Sequence, residues 1–90
     1  MATTQNTWAD PITVTLQGRQ NTFHIAADRD IFVPAIVENL GPNPVTIVTP
    51  PTRLVLEGNE SAAYVVFHGP GTIQAEGAKV RIRLATPRFP

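Results

Sequence analysis

Turn-forming residues interrupt the chain about every ten residues, and this spacing restricts the possible fold more than any other feature. The breaks rich in Gly, Pro, Asn and Asp lie at 18–21, 27–30, 40–44, 50–51, 57–60, 69–71 and 77. Between them apolar residues alternate with polar ones at a period of two, which is typical of β-strands, and no segment has a helical period. We therefore predict an all-β fold, a small β-sandwich (immunoglobulin-like or jelly-roll-like) of about seven or eight strands.

The alternating segments give the expected strands. They span residues 12–17, 22–26, 31–38, 45–49, 53–57, 62–67, 72–76 and 78–84. We expect the first two strands to form a hairpin around Gly18, and the last two to pair around Gly77. Pro34 lacks a backbone N–H, so it predicts a bulge or a sheet edge. The apolar run 64–67 is expected to lie in the core.

Ninety residues leave room for one domain only. We divide the chain into a flexible N-terminal arm at 1–10, a sandwich at 11–86 and a C-terminal tail at 87–90. A domain of this size buries only about 60 to 65% of the surface that its unfolded chain exposes. The chain contains no cysteine, so disulfides cannot stabilise it. Association with other chains is the stabilising device that remains.

Charge and hydropathy exclude several classes of partner. Seven Lys and Arg balance seven Asp and Glu, which indicates neither nucleic acid nor an anionic membrane. The first ten residues lack the basic start and apolar run of a signal peptide, and no apolar stretch approaches the roughly 20 residues that span a bilayer. We expect a protein made in the cytoplasm, with no nucleic-acid or membrane partner.

The sequence gives little support for catalysis. Ser61 is the only serine, and its position at a strand start favours a hydrogen bond to local backbone. His24 and His68 lack the short spacing of metal ligands, and both are expected at the surface. Asp28 and Asp30 flank an arginine in a polar turn, where solvation explains them. We expect no enzyme activity, no metal and no cofactor.

Two features indicate a binding surface. Lys79, Arg81 and Arg83 alternate with apolar residues, which places three cations about 7 Å apart on one face of a strand. That face suits an acidic protein surface or solvent. Trp8 is the only tryptophan, lies near Asp10 in a polar segment, and either docks on a partner or packs on its own sandwich. These five residues are the predicted partner-binding set.

Several segments together resemble the small β-sandwich structural proteins of tailed bacteriophages. They are the Asn-x-Gly-Pro-Asn-Pro corner at 39–44, the turn at 54–61, and the strand pairs at 71–75 and 78–82, which together cover about half of the chain. The resemblance implies a capsid decoration or head auxiliary protein, which binds the outer surface of an assembled shell and stabilises it. It further implies a homotrimer, the major capsid protein or another virion protein as partner, and a place on the virion surface.

Two other classes remain open from the residues. One is a tail, baseplate or cell-surface immunoglobulin-like module that binds protein. The other is a carbohydrate-binding sandwich, which needs exposed aromatic side chains in a row.

Overall fold

The computed structural model describes residues 8–25, 30–58 and 61–86, and these residues form eight β-strands and no helix. The strands are β1 (Ile12–Leu16), β2 (Thr22–Ile25), β3 (Phe32–Pro42), β4 (Val45–Thr49), β5 (Thr52–Leu56), β6 (Ser61–His68), β7 (Gly71–Ala75) and β8 (Ala78–Leu84). The prediction of an all-β sandwich with seven or eight strands is confirmed. A search of the described residues for a helix able to cross a membrane finds none.

The strands form two four-stranded antiparallel sheets. The first sheet has the order β1-β8-β3-β6 and the second has the order β2-β7-β4-β5. Among the eight strands, β4 and β5 are the only consecutive pair that lies in one sheet, and they pair with each other. Every other connection between these strands passes from one sheet to the other. This order is that of an eight-stranded jelly roll, the second of the two sandwich forms expected from the sequence.

The core lies between the sheets and consists of side chains at alternate strand positions. The largest fully buried side chains among the described residues are Phe67, Ile47, Ile73, Ile82, Val37, Val45, Val80 and Asn39. In β8, the side chains of Val80 and Ile82 are fully buried while Lys79, Arg81 and Arg83 between and beside them are exposed. The alternation seen in the sequence therefore correctly separates the two faces of β8.

Buried Asn39 fixes the corner between β3 and β4. Its Nδ2 donates hydrogen bonds to the backbone carbonyls of Asn43 and Leu56, both at 2.9 Å. Its Oδ1 accepts a hydrogen bond from the N–H of Gly41 at 2.7 Å. Gly41 has a φ of +86°, a conformation that glycine adopts because it has no Cβ. The turn expected at 40–44 lies at this corner.

Two expected strand pairs are wrong. β1 and β2 belong to different sheets and are joined only by the isolated bridge between Gln17 and Gln20. β7 and β8 also belong to different sheets, and the turn at Gly77 crosses the sandwich. A glycine turn can reverse the chain within one sheet or between two. The crossing is favoured here because it places the apolar faces of successive strands against each other in one core.

The expectation of a bulge or an edge at Pro34 is also wrong. Pro34 lies in β3, which pairs with both β6 and β8 and is therefore a central strand. The Pro34 carbonyl accepts a hydrogen bond from Ala85 at 2.9 Å, so its nitrogen also faces the β8 side. The Pro34 nitrogen lies just beyond Ala35 and Leu84, which are the last pair of the β3–β8 ladder. The missing N–H of Pro34 therefore removes no hydrogen bond within that ladder.

The apolar run 64–67 is only half in the core. Val65 and Phe67 are buried, but Tyr64 is 59% exposed and Val66 is 39% exposed. Successive side chains of an extended strand point to opposite faces, so four neighbours cannot all face inward. The edge strand β6 thus carries apolar side chains on both of its faces.

Candidate interaction surface

Most of the predicted binding residues meet on the outer face of the first sheet, the surface that points away from the core. The residues that define this outer face are Lys79, Arg81 and Arg83 of β8, Phe32, Pro34, Ile36 and Glu38 of β3, and Tyr64, Val66 and His68 of β6. Strand pairing fixes their order, because residues opposite each other share a face. Arg81 lies opposite Glu38, and Ile36 lies between Arg83 on one side and Tyr64 on the other.

The β8 part of the outer face is basic. The Arg81 guanidinium lies 3.5 Å from the Glu38 carboxylate, and both side chains are partly exposed to solvent. Solvent screening limits such a surface pair to about 1 kcal/mol or less. Within the described residues, Lys79 and Arg83 have no ion-pair partner. No described carboxylate therefore neutralises these two cations.

Trp8 packs on its own sandwich, the second of the two positions considered for it. Its backbone forms a bridge with Ala85 at the end of β8. Its ring meets that of Tyr64 on β6, with centroids 6.4 Å apart and an interplanar angle of 70°. β3 lies between β8 and β6, so the side chains of Trp8 and Tyr64 together reach across it. Pro34 on that strand is buried even though it points outward.

The remaining predicted residue is less well connected to this surface. Asp10 is exposed, and within the described part of the chain no hydrogen bond or ion pair joins it to the other four residues. Residues 1–7 of the expected arm and the tail at 87–90 lie outside the described residues, as does Asp28. Asp30 is exposed.

The alternation in the sequence does not by itself reveal the apolar half of the outer face. Tyr64 and Val66 were expected in the core, yet they are the most exposed large apolar side chains of the first sheet apart from Ile12 of β1. Phe32 stacks on His68 with ring centroids 4.4 Å apart. The signal in the sequence is the uncharged run 61–68, in which alternation from buried Phe67 places Val65 inside and Tyr64 and Val66 outside.

This surface is suited to binding a protein. An apolar centre with aromatic and arginine side chains is the usual composition of a protein interface. The two rings of Trp8 and Tyr64 stand at 70°, so they do not form a flat platform on which consecutive sugars could stack. The surface would match a partner with apolar and acidic side chains.

Of the side chains considered for catalysis or metal binding, Ser61 bonds local backbone and the two histidines are exposed to solvent. The Ser61 hydroxyl donates a hydrogen bond to the backbone carbonyl of Glu57, as expected for a serine at a strand start. His24 and His68 are both exposed, and the prediction for them is confirmed. The described residues contain no group of three or more His, Cys, Asp or Glu that could hold a metal.

A polar recess lies on the second sheet. Asn21, Asn43, Thr46, Gln74 and Glu76 are among its lining residues. The Asn43 Nδ2 donates to the backbone carbonyls of Glu76 at 2.8 Å and of Gly77 at 3.0 Å. Its amide therefore connects two loops, which gives this recess a structural explanation.

Comparisons of the chain with models of known protein families, with curated proteins and with solved structures find no match in any of the three.

Proposed function

We propose that this chain is a non-enzymatic structural protein of a virion, which binds the outer surface of an assembled shell as a capsid decoration or head auxiliary protein. The observation that carries the proposal is the composition of the outer face. Trp8 and Tyr64 form an aromatic pair over it, and Arg83 lies in the same row as Tyr64. Arg83, like Lys79 further along β8, has no ion-pair partner among the described residues. A shell subunit that offers apolar and acidic side chains would complement this surface.

The position of Trp8 supports a docking role for the outer face. Its ring is only half-buried on the sandwich, so a partner can cover the rest of it. Large aromatic side chains that become fully buried contribute much of the binding energy of protein interfaces. The indole already lies on the sheet, so a partner would not need to order it.

Arg83 is a better choice than Arg81 for a binding test. Arg81 lies opposite Glu38, so Arg81→Glu would also place two carboxylates on neighbouring strands. Arg83 lies opposite Ile36, and Tyr64 is next in the same row. A charge reversal at Arg83 therefore changes the charge of the surface without placing two carboxylates opposite each other. Arg19 is exposed in the turn between β1 and β2, away from the outer face, and is the matched control.

The proposal is tested by fractionating particles from infected cells that make the tagged chain. We expect the chain in the density-gradient fraction of filled heads, and we expect Arg83→Glu to lower its amount there by about tenfold or more, because one interface charge pair contributes about 1.4 kcal/mol or more when desolvated. Arg19→Glu should leave that amount unchanged. A chain found only with free tails, or only outside particles, would contradict a place on the shell.

A further inference from the structure

The open side of the sandwich is the surface formed by the two edge strands β5 and β6. β6 ends the first sheet and β5 ends the second, and the two edges contact each other across the sandwich. Four of the five exposed large apolar side chains of the described residues belong to these strands: Leu54, Val55, Tyr64 and Val66. The fifth, Ile12, lies on β1 at the opposite edge.

β6 also has backbone groups that no strand of the described residues uses. The Gly69 N–H bonds Ile31 on the β3 side, whereas the His68 N–H points away from β3 and bonds the Thr49 hydroxyl at 3.2 Å. Backbone direction alternates along a strand. The N–H and C=O groups of Tyr64 and Val66 therefore point away from β3, to the side where the sheet has no further strand.

The strand lacks the usual features that prevent edge pairing. Natural edge strands carry lysine, proline, a bulge or an inward-pointing charge. β6 is eight residues long, SAAYVVFH, with no Lys, Arg, Asp, Glu or Pro. Its pairing with β3 is continuous over eight residues. An uncharged edge of this length is a template for another strand.

We infer that two copies of this chain associate along the open side, with β6 of one copy pairing antiparallel to β6 of the other. A two-fold axis that passes near Val65 places Tyr64 opposite Val66 of the second copy, and the reverse. Aromatic and β-branched side chains are a favourable cross-strand pair. The first sheet then continues from four strands to eight across the two copies.

Charge complementarity on β5 favours a second copy as the occupant. The same axis sets β5 of the two copies side by side and antiparallel. The Thr49 hydroxyl, on the residue that pairs with Thr52, bonds His68, and Ser61 bonds Glu57, so Val55 lies near the level of Val65 and of the axis. Arg53 of each copy then lies near Glu57 of the other, because positions 53, 55 and 57 share one face of the extended chain. The outer face instead carries three cations and one carboxylate, Glu38, so two copies of it would repel each other. The open side therefore favours self-association, and the outer face does not.

The test is sedimentation velocity of the full chain between about 1 µM and about 1 mM. We expect a reversible dimer with twice the mass of the 9.7 kDa chain. Val66→Lys should raise the dissociation constant roughly 100-fold, because it places a charge in the pairing site. Ile12→Lys, an equally exposed position on the opposite edge (42% against 39%), should leave it unchanged.

A second variant and a second measurement distinguish weaker pairing of the two copies from a folding defect of the variant. Ala62→Pro removes an N–H that points away from β3, so the native ladder is kept while edge pairing weakens. Hydrogen exchange should show that the Tyr64 and Val66 amides are protected in the dimer and exchange rapidly in Val66→Lys. A monomer at every concentration, a trimer, or a dimer insensitive to Val66→Lys and Ala62→Pro would overturn the inference. The measurement contains no particles, so its outcome is independent of the proposed function.

Discussion

Asn39 has a fully buried side chain, and its amide nitrogen and oxygen both have partners. A buried amide is costly unless it is hydrogen-bonded, and here its three bonds connect the corner of β3 and β4 to the end of β5. The sequence indicated the turn at this place through Gly41 and Pro42. It did not indicate that an asparagine in the core would connect the turn to a strand that follows it by more than ten residues.

Replacement of Asn39 should therefore destabilise the fold. We expect Asn39→Ala to lower the free energy of unfolding by about 2 to 4 kcal/mol, because the backbone groups of Asn43, Leu56 and Gly41 lose their buried partner. Asn39→Asp should cost at least as much, since a carboxylate would face two carbonyl oxygens. Urea denaturation followed by circular dichroism measures both. Equal stability of Asn39→Ala and the natural chain would contradict the role given to this amide.

The cations of β8 show what residue spacing can and cannot predict. Alternation with Val80 and Ile82 correctly placed all three on one face. That Arg81 would meet Glu38, 43 positions away in the chain, depends on the pairing of β3 with β8. No local pattern contains that information, so the sequence could not tell which of the cations remain unpaired.

At the scale of strands, the sequence predicts which segments form strands but does not predict which strands pair. All eight expected strands are present, and their bounds differ by a few residues. Alternation shows which face of β7 is apolar, but the same pattern suits a neighbour in either sheet. The pairing of β1 with β8, and of β3 with β6, joins segments far apart in the chain. Such pairs are decided by how the apolar faces of all strands are buried together.

A truncation in β8 tests the face assignment of this strand. Ile82 is fully buried, so Ile82→Ala should lower the free energy of unfolding by about 2 to 5 kcal/mol. Arg83→Ala, at the next position but on the exposed face, should change it by about 0.5 kcal/mol or less. Chemical denaturation of the two variants compares them directly. A larger loss for Arg83→Ala than for Ile82→Ala would mean that the faces are reversed.

At the scale of the whole molecule, the two sheets present different outer faces. The second sheet shows Thr46, Thr72 and Gln74 outward, whereas the first shows aromatic and basic side chains. The two-fold axis inferred along the open side runs perpendicular to the sheets. The first sheets of the two copies would then have their outer faces on the same side of the dimer. A pair of copies would therefore offer two docking surfaces to one shell.

The sequence could not predict the whole of the outer face of the first sheet as a binding surface. The basic strand face and the single tryptophan were recognised as candidate binding features. Their meeting on one surface required the bridge from Trp8 to Ala85, and the apolar side chains of β6 were expected inside. Long-range pairing therefore supplied the missing part of the surface.

Electron cryo-microscopy of purified particles that carry the chain tests directly whether the outer face docks on the shell. We expect density for the sandwich on the outside of the head, with the outer face of the first sheet against the shell and Trp8 and Arg83 in the contact. The second sheet should face solvent. A sandwich seated on the shell through its second sheet, or heads without the chain, would rule out the proposed docking.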